Sequence, residues 1–376
     1  MFKLALGAFV SLMLVLTPAT AARTDTQGKA KVSKTKKSAI VKKARVQRRT
    51  SATRVSAALP PNVIRRTIMV RGKRKVVYQR VFVAQPPPPP RLSMGDRAGL
   101  NLTRDPLDLA SSVALVLDQN SSEILFEKNS NVALPIASIT KLMTGLIVVQ
   151  ANQDMNETLT VTEDDVDHEK FTGSRLRIGA QLSRASLLHI ALMSSENRAA
   201  AALARNYPGG VAGFVEAMNA KARELGMFNT RYVDSSGLSS KNIASARDLA
   251  KLTKFAYGEP LLRQYSTDPK SEVAAGGRVL NYRNTNYLVT SPDWDIGLQK
   301  TGFINEAGRC LVMQAVIQGR AVIMVFLDSK GKSSRTADAG RVKRWLETQP
   351  SAVERPAAAP IQVPVLRAAP SVTQGG

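Results

Sequence analysis

Residues 134–141 read LPIASITK, and residues 142–150 continue as LMTGLIVVQ. Ser138 and Lys141 stand three apart at the start of an apolar run with the length and spacing of a buried helix, and Pro135 marks the approach to it. Residues i and i+3 share one face of a helix, so the Ser138 hydroxyl and the Lys141 amine are expected to meet. A serine is a poor nucleophile until a neighbouring base takes its proton. A lysine can be that base only where burial or a nearby cation lowers its pKa. The rest of the chain must supply those conditions.

A lone S-x-x-K match occurs often by chance, but two further motifs stand downstream of it. Ser195-Glu196-Asn197 fits S-x-N, and Lys300-Thr301-Gly302 fits K-T-G. The three stand in the chain order shared by penicillin-binding proteins and class A β-lactamases. Such chemistry needs a nucleophile, a base, a second proton carrier and an anion clamp. Ser138 would attack an acyl carbon while Lys141 accepts its proton. Lys300 would keep Lys141 neutral by like-charge repulsion. Ser195 would relay the proton to the leaving amine, and Asn197 would hold Lys141 and a substrate amide. Lys300 and Thr301 would bind a substrate carboxylate. Gly302 would let the substrate lie against its strand as an added strand. Backbone N–H groups of Ser138 and Phe303 would form the oxyanion hole.

Composition removes several alternatives. The chain has 376 residues, two His and one Cys, so Cys310 can form no intrachain disulfide and no zinc-ligand spacing exists. No metal or other cofactor is expected. A Ser-His-Asp triad would need His168 or His189. His189 sits in SLLHIALM and reads as a packed helix residue, whereas His168 lies in a polar, acidic stretch and reads as a surface residue. The scarcity of histidine itself favours lysine as the base.

Taken in order, residues 1–21 read as a signal peptide: Lys3, an apolar region, then Ala19-Thr20-Ala21 in the A-x-A cleavage pattern. The expected location of the mature chain is the periplasm. Residues 22–92 form a basic extension. Between positions 22 and 90 it holds 19 Lys and Arg against a single acid, Asp25, which is +18 of the chain's net +24. Its first part reads as disordered. A hairpin is expected over 67–83 and an extended polyproline spacer over 86–90. After an export signal, an envelope polyanion or an anionic membrane surface is the expected partner of such charge, and nucleic acid is not. The folded unit is expected over 93–349, with a Pro/Ala-rich disordered tail over 350–376.

Within that unit, SSVALVLD and EILFEKN read as a first hairpin. Short strands are expected at ETLTV and around SRLRIG. SRASLLHIALM, RAAAALARNY and VAGFVEAMNAKARELG read as helices, with Ser195-Glu196-Asn197 in the loop after the first of them. WDIGLQKTG reads as a strand, CLVMQAVIQ and AVIMVFLD as a second hairpin, and residues 335–348 as a closing helix. Two strands first, helices between and three strands last predict an α/β chain of the α+β type. Its antiparallel sheet would pair N- and C-terminal strands, faced by helices, with a helical subdomain.

The stretches VALVLDQNSSEILFEKN, LPIASITKLMTG, ALMSSENRAA, AMNAKARELGM, DSSGL and KTGFINEAGRCLV resemble the serine D-alanyl-D-alanine peptidases, the low-molecular-mass penicillin-binding proteins. The similarity covers roughly residues 93–349. The branch it resembles most is the soluble D-alanyl-D-alanine endopeptidases. That resemblance implies a β-lactamase/transpeptidase-like fold and peptidoglycan peptides as substrate. It also implies hydrolysis of D-Ala–meso-diaminopimelate cross-links through an acyl-enzyme, with β-lactams as acylating inhibitors. It implies Ser138 as nucleophile, Lys141 as base, and Ser195, Asn197, Lys300, Thr301 and Gly302 as site residues, with Arg309 as a weaker carboxylate-binding candidate. Related carboxypeptidases usually carry a second, β-rich domain and an amphipathic anchor, which residues 350–376 do not resemble. Carboxypeptidase activity is the alternative, since both reactions share one mechanism. A class A β-lactamase would need E-x-x-L-N; Glu259-Pro260-Leu261-Leu262-Arg263 ends in arginine and reads as a helix start. A non-catalytic wall-binding protein is the third reading, and the complete motif set argues against it.

Overall fold

A computed structural model describes residues 63–80 and 91–349. The expected signal peptide over 1–21, the extension up to residue 62, the expected polyproline spacer over 86–90 and the expected tail over 350–376 lie outside the described residues. The chain divides into two units between Pro86 and Pro87.

In the first unit, β1 (Val63–Val70) and β2 (Lys73–Arg80) pair antiparallel. Arg71 and Gly72 both take positive φ, 50° and 74°, which is the two-residue turn that matches strand twist. The first strand starts at Val63, four residues before the expected hairpin, and the last three positions of that hairpin, 81–83, lie outside the described residues.

The second unit opens with α1 (Met94–Arg97), a single turn closed by a capping box between Ser93 and Asp96. Next come the hairpin β3 (Ser111–Asp118) and β4 (Ile124–Lys128), and then β5 (Leu134–Pro135). A 3-10 turn over Ala137–Ile139 leads into α2 (Thr140–Gln150), in which every residue from Thr140 to Val148 is buried. Such all-round burial is what an apolar run without a polar stripe dictates. β6 (Thr158–Thr160) pairs with β7 (Gln181–Ser183). The strand expected around SRLRIG is not formed. There the Arg198 guanidinium, not a neighbouring strand, satisfies the Leu176 carbonyl at 2.6 Å.

Helices come next: α3 (Arg184–Met193), N-capped by Ser183, then α4 (Asn197–Arg205) and α5 (Gly210–Glu224). β8 (Ile243–Ala244) pairs with β5; α6 (Ala246–Ala256) is N-capped by Ser245, and α7 (Pro260–Thr267) begins on a proline. After α7 stands an unforeseen hairpin, β9 (Lys270–Ala275) and β10 (Arg278–Arg283). β11 (Asp295–Ile304), β12 (Gly308–Ile317), β13 (Arg320–Ser329) and α8 (Ser334–Glu347) complete the unit.

One five-stranded sheet, ordered β11-β12-β13-β3-β4 and antiparallel throughout, carries the unit. Its first-made strand β3 pairs with its last-made strand β13, as the order of elements predicts. Both faces are covered. Val113, Leu115, Val312, Ile323 and Val325 pack with the buried residues of α2 to α7. Ala114, Val116, Leu311, Met324 and Phe326 pack with Ala339, Val342 and Leu346 of α8. Side chains alternate along a strand, so a two-sided cover demands the unbroken apolar runs seen in β3 and β13. Each fully buried side chain of the Leu or Phe class contributes about 1.5–3 kcal/mol.

Candidate active site

Ser138 is placed by backbone geometry that resists the sequence. Ala137 adopts φ +49°, a left-handed conformation rare for a residue with a side chain. Three contacts hold it there: Ile136 N–H donates to Asn242 O at 3.1 Å, Ile139 N–H to Ile136 O at 3.2 Å, and Thr140 Oγ1 to Ala137 O at 2.8 Å. Ser138 therefore sits in the 3-10 turn ahead of α2, not inside the α-helix. The turn runs straight into α2, so Lys141, three residues on, comes to the same face as Ser138.

The loop over 234–239 closes the other side. The Asp234 carboxylate accepts from the backbone of Ser236 and Gly237 at 2.6 Å each and of Ser239 at 3.0 Å. Gly237 lies at φ +82°, and a Cβ there would fall 1.9 Å from Ala137 O, so this loop is moulded against the serine turn. Its product is the Ser236 carbonyl, aimed at Lys141.

Lys141 is wholly buried, and its Nζ meets three oxygens: Ser138 Oγ at 2.9 Å, Asn197 Oδ1 at 2.7 Å and Ser236 O at 2.6 Å. Asn197 Nδ2 donates to Thr172 Oγ1 at 2.9 Å, which fixes Oδ1 toward the lysine. A neutral amine has two N–H donors and one lone pair. The two carbonyl oxygens can only accept, so they take both donors. The lone pair is left facing the one oxygen that carries a proton, Ser138 Oγ. Burial pushes the Lys141 pKa down to about 7, against Asp234 and Glu196, whose charges pull it up.

Lys300 is wholly buried on β11, donating to Ser195 Oγ at 3.0 Å and Thr301 O at 2.9 Å. Its pKa is held well below the ordinary lysine value, first by burial, then by the charges of Lys141 and Arg335. Burial is thus the first cause at both lysines, and the repulsion between Lys141 and Lys300 adds to it. Ser195, at φ +61°, lies just past α3, and Asn197 is the first residue of α4, so S-x-N is a tight helix-to-helix corner in place of a loop. Strained residues on both sides of one cleft, Ala137 and Ser195, are the pattern of a preorganised site.

Thr301 Oγ1 lies 2.6 Å from Thr285 Oγ1. At Gly302 an added Cβ would stand 2.8 Å from Ile136 O and 3.2 Å from Ser138 N. The glycine is demanded by the approach of β11 to the serine turn, where substrate approach was expected to demand it. Phe303, next along, is half exposed, and the Arg309 guanidinium lies 4.6 Å above its ring. A second arginine, Arg335 of α8, donates to Gly302 O at 2.7 Å. Three residues past Phe303, Glu306 Oε1 pairs with Lys170 Nζ at 2.7 Å.

The structure thus brings Ser138, Lys141, Ser195, Asn197, Lys300, Thr301, Gly302 and Phe303 to one cleft, with Arg309 on its rim. Sequence reasoning missed Arg335, Thr172 and the role of the 234–239 loop. Of these only DSSGL carried a signal, an aspartate heading a turn with glycine. Among the described residues neither histidine bonds to a catalytic side chain: His168 is exposed in a hollow also lined by Asn197 and Ser236, and His189 pairs with Asp268 and stacks on Tyr265. Glu259 N-caps α7 and lies 3.3 Å from Gln150 at the far end of α2.

A family model described as D-alanyl-D-alanine carboxypeptidase matches residues 101–331. The D-alanyl-D-alanine endopeptidase of Pseudomonas aeruginosa is 48% identical over 267 residues, 70% of this chain and 83% of that protein. That of Escherichia coli is 44% identical over 243 residues, 64% of this chain and 78% of that one. Among solved structures, a Streptomyces DD-transpeptidase is similar with a TM-score of 0.60 at 25% identity, covering 65% of this chain and 98% of that chain.

Proposed function

The chain belongs to the D-alanyl-D-alanine carboxypeptidase family of serine peptidases acting on peptidoglycan, and from that premise we propose that it is a D,D-endopeptidase opening D-Ala–meso-diaminopimelate cross-links. The observation that carries the chemistry is the buried Lys141 Nζ 2.9 Å from Ser138 Oγ, its two other contacts being carbonyl oxygens that only accept. Lys141 takes the Ser138 proton as Oγ attacks the D-alanyl carbonyl. The Ser138 and Phe303 N–H groups hold the oxyanion; losing one such donor typically costs on the order of 10²–10³ in rate. Ser195, hydrogen-bonded to Lys300, passes a proton to the departing diaminopimelate nitrogen. Lys300 and Thr301 hold the carboxylate beside that nitrogen. Water then hydrolyses the acyl-enzyme, and β-lactams acylate the same serine.

Endopeptidase activity is favoured over carboxypeptidase activity because the relatives at 48% and 44% identity bear the endopeptidase name. The test is a muropeptide digest with Ser138→Ala as control. Cross-linked dimers falling to monomers while pentapeptides persist supports the reading. Pentapeptides losing their last D-alanine while dimers persist overturns it in favour of the carboxypeptidase.

Export to the periplasm and attachment of the basic extension to an envelope polyanion or anionic membrane belong to the same proposal. They are supported by residues 1–21 and by the β1–β2 hairpin. That hairpin bears seven Lys and Arg and no acid, beside exposed Ile68, Met69 and Tyr78. Deleting residues 22–90 is expected to weaken sacculus binding, most at low salt where long-range attraction is least screened. Equal binding with and without the extension would make it a plain linker.

A further inference from the structure

The β9–β10 hairpin and the segment over 175–180 border an open hollow of about 220 Å³ lined by Arg175, Arg177 and Arg278 together with Ile178, Ala275 and Leu280. Among the described residues no acidic side chain lines it. Arg175 is anchored: it donates to Asn281 O, and its guanidinium lies 5.1 Å above the Tyr282 ring. Arg177 and Arg278 are not; among the described residues neither guanidinium has a hydrogen bond or ion pair. Arg278 shares a face of β10 with Leu280 and the buried Tyr282, so it stands at the tip of the hairpin's inward row. Three cations around one hollow repel one another, and an anion set among them relieves that repulsion.

The hollow is tied to the catalytic cleft, and to one end of it. Tyr282 Oη lies 3.5 Å from Glu196 Oε2, within the Ser195–Asn197 corner, and Ser174 Oγ donates to Glu196 Oε1 at 2.6 Å. The chain leaving β10 reaches Thr285, which touches Thr301. The hairpin is therefore rooted at the Lys300–Thr301 end of β11. On the endopeptidase reading, that end holds the carboxylate beside the scissile nitrogen, while the oxyanion lies at Phe303. The leaving half of the substrate consequently runs from Phe303 past Thr301 toward the hairpin, and the acyl half runs toward Glu306.

We infer that the arginine groove binds carboxylates of the leaving stem peptide and so distinguishes a cross-link from a terminal D-alanine. The inference rests on the endopeptidase reading and names the feature that would make it one. A D-alanine leaving group ends at the carboxylate held by Lys300 and Thr301. A cross-linked acceptor continues through the diaminopimelate side chain to a glutamyl residue joined through its γ-carboxyl, whose α-carboxylate is free. Only that leaving group carries negative charge onward into the groove.

The test is Arg177→Ala/Arg278→Ala in the full-length protein, with Arg175 left in place because it braces Tyr282. Charge-assisted hydrogen bonds of this kind contribute enough that kcat/KM on cross-linked dimers should fall about tenfold or more, chiefly through KM. Acylation by penicillin, which brings no leaving stem, should keep its rate. A direct titration is independent of turnover. The tetrapeptide L-Ala-γ-D-Glu-meso-diaminopimelyl-D-Ala should bind Ser138→Ala protein about tenfold more tightly than the same protein carrying the double substitution. Unchanged dimer hydrolysis, unchanged tetrapeptide affinity, or an equal loss in penicillin acylation overturns the inference. Wild-type protein that trims pentapeptides and spares dimers overturns the endopeptidase reading instead, and the inference with it.

Discussion

Replacing Asn197 by aspartate places a carboxylate where Asn197 Oδ1 now lies 2.7 Å from Lys141 Nζ, with almost no change in volume. Lys141 titrates at about 7 because burial disfavours its ammonium form. A full negative charge at that position favours the ammonium. Two unit charges 4 Å apart interact by about 4 kcal/mol at an effective dielectric of 20, and one pKa unit is about 1.36 kcal/mol, so Lys141 should rise by roughly three units. The base must be unprotonated to act, so activity belongs to the pH range above its pKa. At pH 7 about half the wild-type molecules hold a neutral Lys141, against roughly one in a thousand in the variant. The assay is the second-order rate of acylation by a fluorescent penicillin from about pH 5 to about pH 10. Wild type should reach half its plateau near pH 7. The variant should be about 10²–10³-fold slower there and climb tenfold per pH unit toward roughly pH 10. A uniform fall with the midpoint unmoved would refute the assignment, because the titrating base would then not be the amine beside Asn197.

Gly237→Ala forces a side chain onto φ +82° and into Ala137 O. Strain of that kind costs about 1–3 kcal/mol, so the melting temperature should drop by several degrees and penicillin labelling should collapse; a wild-type melt would refute the packing argument. Phe326→Ala empties a fully buried site between the sheet and α8 and should cost about 3–5 kcal/mol in urea unfolding. The β-lactam adduct on Ser138 should survive for hours by intact mass. Glu259 is held by Gln150, and the length of α2 puts that about 15 Å along the helix from the serine turn. Rapid hydrolysis of the adduct would mean another group activates water.

The sheet was legible because its signals are local. SSVALVLD and AVIMVFLD are too apolar for a one-sided strand and too short for a helix, and Gly319-Arg320 marks the turn between β12 and β13. The cleft's members were legible because S-x-x-K, S-x-N and K-T-G keep their spacing wherever the chain goes. What spacing cannot show is burial and backbone strain. Nothing in ITK reveals that Lys141 is wholly enclosed, which is the main cause of its low pKa. Nothing near Ala137 announces its left-handed conformation, since its local bonds to Ile139 and Thr140 act together with a distant one from Asn242 O to Ile136 N–H and with the close approach of Gly237, about a hundred residues on. Arg335 opens a polar helix and carries no local mark of being turned inward onto Gly302 O. The β9–β10 hairpin has a usable signal in Gly276-Gly277, but KSEVAA offers small side chains at alternate positions and reads weakly as a strand.

The pairing of β3 with β13 sets a schedule. Residues about two hundred apart in sequence, such as Val113 and Leu327, must meet before the middle of the sheet exists, and Lys300 arrives on β11 only just before them. Closing a loop that long is slow and unrewarded until the last strands are in place. A chain still emerging, or cut short before β11, has Ser138 and Lys141 but neither Lys300 nor the sheet that encloses them. Hydrolytic power therefore depends on both ends of the chain at once: without the C-terminal strands the serine turn has neither Lys300 nor the sheet it packs against.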